Sequence, residues 1–210
     1  MSVTIQKIGP QEIEAESFRI IAAELGPHNF DQKTFKVVQR IIHATGDFSF
    51  AKNLRFSKNA VDHGIAALQQ GKHILTDVNM VATGISKPLL KKWQNKVICN
   101  IADEKVAQKA KTENTTRAEM AIKQGMLEDI GIVAIGNAPT ALLKILNILA
   151  NDKPAFCPLI IGVPVGFVNA AESKALLNET KLPYITSLGR KGGSSVGVSI
   201  VNALIRLAGE

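Results

Sequence analysis

A change of hydrophobic period about one third of the way along the chain constrains the fold more than any other feature. Beyond that point, short apolar runs alternate with segments of helical period, and each run ends in a polar or glycine-rich turn. Strands are predicted over 73–78, 96–101, 131–135, 158–163 and 184–188, and helices are predicted to begin near Ser86, Asp103, Thr116, Pro139, Ala170 and Ser195. This alternation predicts βαβ units, and therefore a Rossmann-like α/β domain whose mainly parallel sheet is covered by helices on both faces.

The residues before the change of period predict an N-terminal helical segment. A helix is predicted over 10–25, followed by a second helix that Asp31 caps and Gly46 closes. A third helix is predicted to run from a cap at Ser57 to Leu68. Because no linker or repeat interrupts the 210 residues, and 46% of them are hydrophobic, one domain over residues 1–210 is expected.

The composition favours some classes of binding partner and argues against others. Its net charge of +7 favours an anionic partner such as a nucleic acid, an anionic membrane or a small polyanion, although a solvated basic surface carries the same charge. No aromatic residues are interleaved with the basic pairs, so no nucleic-acid surface is expected. No apolar run is long enough to span a membrane, and acidic residues in the first apolar stretch argue against a signal peptide. The two cysteines, Cys99 and Cys157, fit neither a disulfide framework nor a CxxC metal site, so a reducing cytoplasm is expected.

Four loops after the predicted strands form the candidate binding edge. They cover 78–86, 136–140, 162–173 and 189–195, and all are rich in Gly, Thr, Ser and Asn. Ligands of open α/β sheets bind beyond the carboxyl ends of the strands. In the last loop, GRKGGSS, Arg190 and Lys191 precede a helix N-terminus, which indicates either an anion site or a simple turn with exposed basic residues. Neither a P-loop spacing nor a GxGxxG fingerprint for a dinucleotide occurs.

One of the four histidines stands out as a candidate acid–base group. His43 falls in the last turn of the second predicted helix, and Arg40 lies one turn earlier on the same polar face. The helix C-terminus favours the imidazolium form and Arg40 opposes it, so His43 could donate a proton near neutral pH; the alternative is a surface histidine at a helix end. The histidine spacings do not predict a zinc site. Ser17 lies in mid-helix, where a serine usually bonds its own backbone.

Seven stretches, taken in order, resemble the precorrin-8X methylmutase family, including its cobalt-precorrin-8 branch. They are AESF (15–18), QRIIHATGDF (39–48), TDVNMVATGI (76–85), TTRAEMA (115–121), IGNAPTAL (135–142), PVGFVNAAESK (164–174) and GRKGGSS (189–195). One such stretch would be a weak signal, but seven at the family's spacing are specific. Two residues depart from the pattern: Asn169 stands where glycine is more common, and Lys191 where arginine is common.

The resemblance implies both a reaction and a set of site residues. The reaction is the migration of a methyl group from C-11 to C-12 of a corrin macrocycle, with no metal ion or external cofactor. His43 is implied as the acid–base group, with substrate contacts at Ser17, Arg40, Thr83, Gly84 and Arg117. Arg190 is a further expected partner for the carboxylates of the tetrapyrrole substrate.

The resemblance also implies a homodimer with its active sites near the subunit interface. The apolar residues of 141–149 and 198–207 exceed what one sheet face needs, and part of them is expected to be buried between subunits. Three other functions stay open from the sequence: a non-catalytic corrinoid-binding or carrier protein, a nucleotide-dependent Rossmann enzyme and, as the weakest alternative, a nucleic-acid binder. No residue distinguishes a metal-free substrate from one that contains cobalt.

Overall fold

Six strands form one sheet in the computed structural model, which describes residues 8–10, 12–152 and 154–210. The strands are β1 (Leu54–Phe56), β2 (His73–Thr76), β3 (Val97–Ile98), β4 (Ile130–Ile135), β5 (Leu159–Gly162) and β6 (Tyr184–Ser187). Their order is β1-β6-β5-β4-β2-β3, and every neighbouring pair is parallel except β1 with β6. The mainly parallel sheet is therefore confirmed, with one antiparallel edge strand that the sequence did not predict.

Helices pack on both faces of this sheet, as predicted. They are α1 (Ile13–Leu25), α2 (Gln32–Thr45), α3 (Ser49–Asn53), α4 (Ala60–Gln69), α5 (Asn79–Gly84), α6 (Lys87–Leu90), α7 (Glu104–Thr112), α8 (Arg117–Gly125), α9 (Pro139–Asn151), α10 (Ala170–Asn178) and α11 (Ser194–Gly209). A 3-10 turn, Lys91–Trp93, follows α6. One apolar cluster joins α2, α4 and α11 to the first face, and a second joins α8, α9 and α10 to the other. Because helices cover both faces, all residues of β4, β5 and β6 are buried.

Several helix ends form where their capping residues predict them. The side chain of Asp31 accepts hydrogen bonds from the backbone N–H groups of Lys33 and Thr34 at the start of α2. Gly46 closes α2 in the left-handed conformation, with φ of 64°. Thr116 and Glu119 form a complete capping box at the start of α8. The local sequence is therefore sufficient to place these ends.

The predicted cap at Ser57 is wrong. Helix α4 begins at Ala60, after Asn59 in the left-handed conformation. The hydroxyl of Ser57 instead accepts a hydrogen bond from the backbone N–H of Tyr184 at 2.8 Å, and the N–H of Ser57 donates to the Tyr184 carbonyl. Ser57 thus extends the pairing between β1 and β6, a long-range contact that local spacing does not reveal.

Two departures from the predicted elements lie near the candidate binding edge. The segment 78–86 contains the short helix α5, where a loop was predicted. Asn169, which stands at a position where glycine is more common, has φ of 58° at the start of α10. Asparagine tolerates this left-handed conformation better than most residues, which explains why it can replace glycine there.

The apolar residues invoked for a subunit interface are buried within the chain itself. In α9, Leu142 and Ile145 are fully buried, and in α11 the same holds for Ile200 and Leu204. That reason for expecting a homodimer is therefore wrong. The large apolar side chains that are most exposed among the described residues lie in other segments: Met80, Leu127, Phe167 and Val168.

Candidate functional site

The polar face shared by α1 and α2 carries the candidate acid. His43 lies in the last turn of α2 and is exposed. Its ring packs edge-on against Phe18 of α1, with 5.5 Å between the ring centroids and 76° between the planes. On the same phenyl ring, the Cζ atom of Arg40 lies 5.1 Å from the centroid. Phe18 therefore holds the imidazole and the guanidinium on one surface, as the shared face of His43 and Arg40 predicts.

The guanidinium of Arg40 already has a carboxylate partner. Its two terminal nitrogens donate to the two carboxylate oxygens of Glu14 at 3.1 and 3.2 Å. The hydrogen bond from Arg40 is the largest cause that lowers the pKa of the Glu14 carboxyl from its ordinary value. This fork-to-fork pair has the geometry in which arginine binds carboxylates. A substrate carboxylate that binds Arg40 must displace Glu14 or share the guanidinium with it.

The hydroxyl of Ser17, a predicted substrate contact, makes a hydrogen bond within its own helix. Its hydroxyl donates to the carbonyl of Ile13 at 2.8 Å, four residues earlier in α1. The side chain of Gln39 in α2 donates to the carbonyl of Phe18 at 3.2 Å and fixes α1 against α2. The Ser17 oxygen can therefore still accept a hydrogen bond, but its proton is engaged.

A cavity of about 760 Å³ opens beside this face. Its lining includes Phe18, Arg40, Leu89 and Trp93. Further cationic residues of the lining are Lys36, Lys92 and Arg206, and the acidic ones are Glu14 and Glu210. The size falls in the range of small-molecule sites, and the mixture of apolar side chains with cationic groups suits a large polycarboxylate.

Thr83 and Gly84 lie on the short helix α5, which packs against α11. A Cβ atom on Gly84 would be 2.7 Å from a methyl group of Val198, so α5 can approach α11 only with glycine at this position. Asn202 of α11 receives a hydrogen bond from the backbone N–H of Ser86 and donates one to the carbonyl of Gly84. Helix α11 also packs against α2. It therefore supports both the His43 helix and the Thr83-Gly84 segment.

Arg117 begins α8 and is exposed at the carboxyl edge of the sheet. The hydroxyl of Thr116 lies 3.1 Å from that of Thr140 in α9, which ties the start of α8 to the 136–140 loop. Among the described residues, no hydrogen bond, ion pair or ring contact links Arg117 to His43 or Arg40.

A buried carboxylate shapes the 136–140 loop. Asp77 follows β2 and is fully buried. Its oxygens accept hydrogen bonds from the backbone N–H groups of Gly136, Asn137 and Ala138 at 3.0, 2.8 and 2.7 Å. Burial raises the pKa of the Asp77 carboxyl, and the three N–H groups oppose that rise. Asp77 thereby holds the backbone from which α9 begins.

Of the two basic residues in the GRKGGSS loop, one is exposed to solvent and the other pairs with a carboxylate of the chain. Arg190 is exposed, and its Cζ atom lies 5.3 Å from the centroid of the Phe167 ring. Lys191, in contrast, donates to the carboxylate of Asp47 at 2.6 Å. That hydrogen bond is the largest cause that lowers the pKa of Asp47 to about 2. The charge of Lys191 is therefore compensated within the chain, whereas Arg190 is available to an anion.

The glycine at position 192 fixes this loop against the preceding one. A Cβ atom on Gly192 would overlap the carbonyl oxygen of Val163. The backbone N–H of Gly193 donates to the same carbonyl at 2.8 Å, and the N–H of Gly166 donates to the carbonyl of Arg190. The close backbone approach that the glycines predict is thus present, and it joins the loops that follow β5 and β6.

Sequence reasoning missed four residues of this region. Phe18 and Glu14 complete the surface around Arg40 and His43, and their spacing of four residues on α1 was an available signal. Asp77 and Lys174 lie in the quoted stretches TDVNMVATGI and PVGFVNAAESK, but both are buried, which their residue types do not predict.

No group of three or more His, Cys, Asp or Glu side chains within the described ranges is placed to hold a metal ion. No helix in those ranges is long and apolar enough to cross a membrane.

Comparisons with known proteins agree on one family. Residues 12–207 match the sequence profile of the family described as precorrin-8X methylmutase. A cobalt-precorrin-8 methylmutase from Priestia megaterium is 44% identical, covering 96% of this chain and 89% of its own length. A precorrin-8X methylmutase from Pseudomonas aeruginosa is 40% identical, covering 92% and 94%. The crystal structure of a precorrin-8X methylmutase from Thermus thermophilus has a TM-score of 0.84 and 43% identity, covering 94% of this chain and 96% of that one.

Proposed function

The chain belongs to the precorrin-8X methylmutase family, and from that premise we propose that His43 is the acid–base group of its methyl-shifting reaction. The protein is an isomerase of cobalamin biosynthesis, which moves a methyl group from C-11 to C-12 of a corrinoid. The proposed substrate contacts lie on α1, α2, α5, the start of α8 and the loop after β6: Ser17, Arg40, Thr83, Gly84, Arg117 and Arg190. Residues 1–210 would form one methylmutase domain that needs no cofactor.

The placement of His43 is the observation that carries this proposal. Its imidazole is exposed at the end of α2, where the unpaired carbonyl groups of the helix favour a cation. Phe18 packs against one edge of the ring and provides an apolar surface on which a flat macrocycle can lie. Arg40, over the same phenyl ring, lies one helical turn away and can take a carboxylate of the bound macrocycle.

Proton donation is the chemical step that His43 would perform. An imidazolium placed against a ring nitrogen of the macrocycle would protonate it, withdraw electron density from the conjugated system and allow the methyl group to migrate. Substrate and product are isomers, so the proton lent to the ring is returned when the product forms. The remaining requirement is orientation of the ring, which a shaped pocket with several carboxylate contacts supplies.

The cationic groups would recognise the carboxylates of the substrate. Arg117 and Arg190 are exposed, and Arg40 would exchange Glu14 for a substrate carboxylate. Bidentate binding of this kind fixes the ring plane as well as adding affinity. The relatives include both cobalt-precorrin-8 and precorrin-8X methylmutases, at 38–44% and 38–40% identity. A tetrapyrrole polycarboxylate is therefore the proposed substrate class, and turnover of the cobalt-containing and metal-free forms should be measured side by side.

A homodimer that covers the carboxyl edge is part of the same proposal. Phe167 and Val168 are 84% and 78% exposed in the loop after β5, and Met80 is 72% exposed on α5. Apolar side chains exposed together at one edge are typical of an interface. Light scattering at micromolar concentration should give twice the chain mass of 22.6 kDa. Val168→Asp should reduce that mass, whereas Leu127→Asp, equally exposed in the turn before β4, should not.

A conversion assay on the purified protein tests the enzymatic function. With the corrinoid precursor at a stoichiometric amount, the visible spectrum should change to that of the isomer in a first-order process. A carrier would bind the precursor and leave it unconverted, which would contradict the proposal.

We place the enzyme in the cytoplasm, where fractionation of cells should find it.

A further inference from the structure

A fully buried lysine lies beneath the two loops that meet at the carboxyl edge. Lys174 is in α10, in the PVGFVNAAESK stretch, and its relative exposure is 0%. Its ammonium group donates to the backbone carbonyl of Lys191 at 2.6 Å. The hydroxyl of Ser187 donates to the same carbonyl at 3.0 Å. Two hydrogen-bond donors therefore fix the backbone carbonyl of Lys191, the residue that follows Arg190.

Within the part of the chain that the structure describes, this buried charge has no carboxylate partner. Among the ion pairs of the described residues, none includes Lys174. Burial lowers the pKa of its ammonium group to about 8. A buried lysine with one carbonyl acceptor destabilises the fold relative to an apolar side chain of similar size. Its presence is better explained by a role in the site than by a contribution to stability.

The position of Lys174 connects it to Arg190. The loop that it fixes is joined to the preceding loop through Gly193 and Gly166, and Arg190 projects from the exposed side of that loop over Phe167. We propose that Lys174 is a positioning residue for the methyl shift: by fixing the Lys191 carbonyl, it holds the guanidinium of Arg190 where that group receives a substrate carboxylate. The inference rests on the proposed role of Arg190 as a substrate contact.

Steady-state kinetics of four variants test this inference. They are Lys174→Met, Arg190→Ala, the double variant, and Lys181→Met as a control at an exposed lysine just beyond α10. Lys174→Met should raise KM about tenfold with kcat changed less than about twofold, because the loop is displaced while His43 is untouched. The double variant should have the KM of Arg190→Ala alone, since the two residues act through one contact. Lys181→Met should resemble the wild type.

Thermal unfolding separates positioning from a merely structural role. At pH 7, Lys174→Met should unfold at or above the wild-type temperature, because the substitution removes a buried charge. A lower unfolding temperature together with a lower kcat would show that Lys174 only supports the fold, and would overturn the inference. Additive effects of Lys174→Met and Arg190→Ala on KM would overturn it as well.

The outcome for Arg190 distinguishes this inference from the proposed function. If Arg190→Ala raises KM and Lys174→Met does not, the substrate contact stands and the role of Lys174 is rejected. If Arg190→Ala leaves KM unchanged, Arg190 is not a substrate contact, and both the contact and the positioning role are rejected. The methylmutase function itself is judged separately, by conversion of substrate in the wild type.

Discussion

The α1–α2 face and the loops at the carboxyl edge are built in different ways. His43 and Arg40 are side chains on regular helices, held on a shared phenyl ring and open to solvent on one side. The loops after β2, β5 and β6 are held by buried polar groups and by backbones in close contact, as at Asp77, Lys174 and Gly192. The first region places chemical groups, and the second fixes the shape of the backbone.

This difference predicts different responses to substitution. A side chain on an exposed helix face can be replaced with little change in folding free energy, so the effect should appear in binding or rate. A buried polar group or a glycine in close backbone contact cannot be replaced without moving the backbone, so the effect should appear in stability or in loop position. Each of the following changes tests one side of this comparison.

The largest expected effect is on folding, at Gly192. Gly192→Ala should lower the free energy of unfolding by about 4 kcal/mol, or abolish folding, because the added Cβ overlaps a backbone carbonyl that cannot move independently. Gly189→Ala in the same loop is the matched control. Gly189 has φ of 79° with no atom near its Cβ position, so alanine there should cost only about 1 kcal/mol of backbone strain. Urea unfolding midpoints that are equal for the two variants would contradict the close-contact account.

The next effect concerns the pH dependence of stability at Lys174. Its pKa of about 8 in the folded chain is below the ordinary lysine value of 10.5. Between these two pH values the unfolded chain holds a proton that the folded chain has lost, so this group makes stability rise with pH. The wild type should gain up to about 3 kcal/mol relative to Lys174→Met from pH 8 to pH 10.5. A difference between the two proteins that stays constant over this range would show that Lys174 is not effectively buried.

A smaller effect is expected for carboxylate binding by Arg40 and Arg117. Arg40→Ala should weaken product binding by about 2 kcal/mol and should also lower the unfolding midpoint slightly, because its pair with Glu14 joins α1 to α2. Arg117→Ala should weaken product binding by a similar amount with an unchanged unfolding midpoint, since Arg117 is exposed. Binding of the wild type should also weaken with added salt. Arg55→Ala is the control, since Arg55 is exposed on β1 and donates only to nearby carbonyls. Unchanged binding in both variants would mean that the substrate carboxylates lie elsewhere.

The smallest expected effect on product binding is at Glu14, where a substitution should strengthen binding and not weaken it. Because Glu14 occupies the guanidinium of Arg40 in the free protein, Glu14→Gln should tighten product binding by about threefold. Glu16→Gln on the same helix, where Glu16 pairs with Arg19, should leave binding unchanged. A weaker complex with Glu14→Gln would show instead that Glu14 orients Arg40 for the substrate.

The same comparison explains which features could be predicted from the sequence. The ends of α2 and α8 depend on residues within one turn, such as Asp31, Gly46 and Thr116, and were predicted correctly. The strands β4, β5 and β6 could be predicted from continuous apolar runs. Such runs are needed because helices cover both faces of the sheet at these strands. The shared face of His43 and Arg40 follows from a spacing of three residues on a helix.

Features that depend on tertiary contacts were missed. Strand β1 exists because Leu54–Phe56 pairs with β6, more than one hundred residues later, and Ser57 serves that pairing rather than a helix. Burial of Lys174 and Asp77 depends on loops that close over them, and residue type argues against it. The pairing of Arg40 with Glu14 joins two helices whose contact the helical period alone does not define.

We propose above that His43 supplies the proton for the methyl shift, and single-turnover absorbance of His43→Asn measures that role. Conversion should be about 10² times slower than in the wild type, because a positioned acid typically contributes that much. Substrate affinity should change less than about threefold and the unfolding midpoint should be unchanged, since the side chain is exposed. If the variant instead converts the bound substrate at close to the wild-type rate, the proton comes from another group and the claim is wrong.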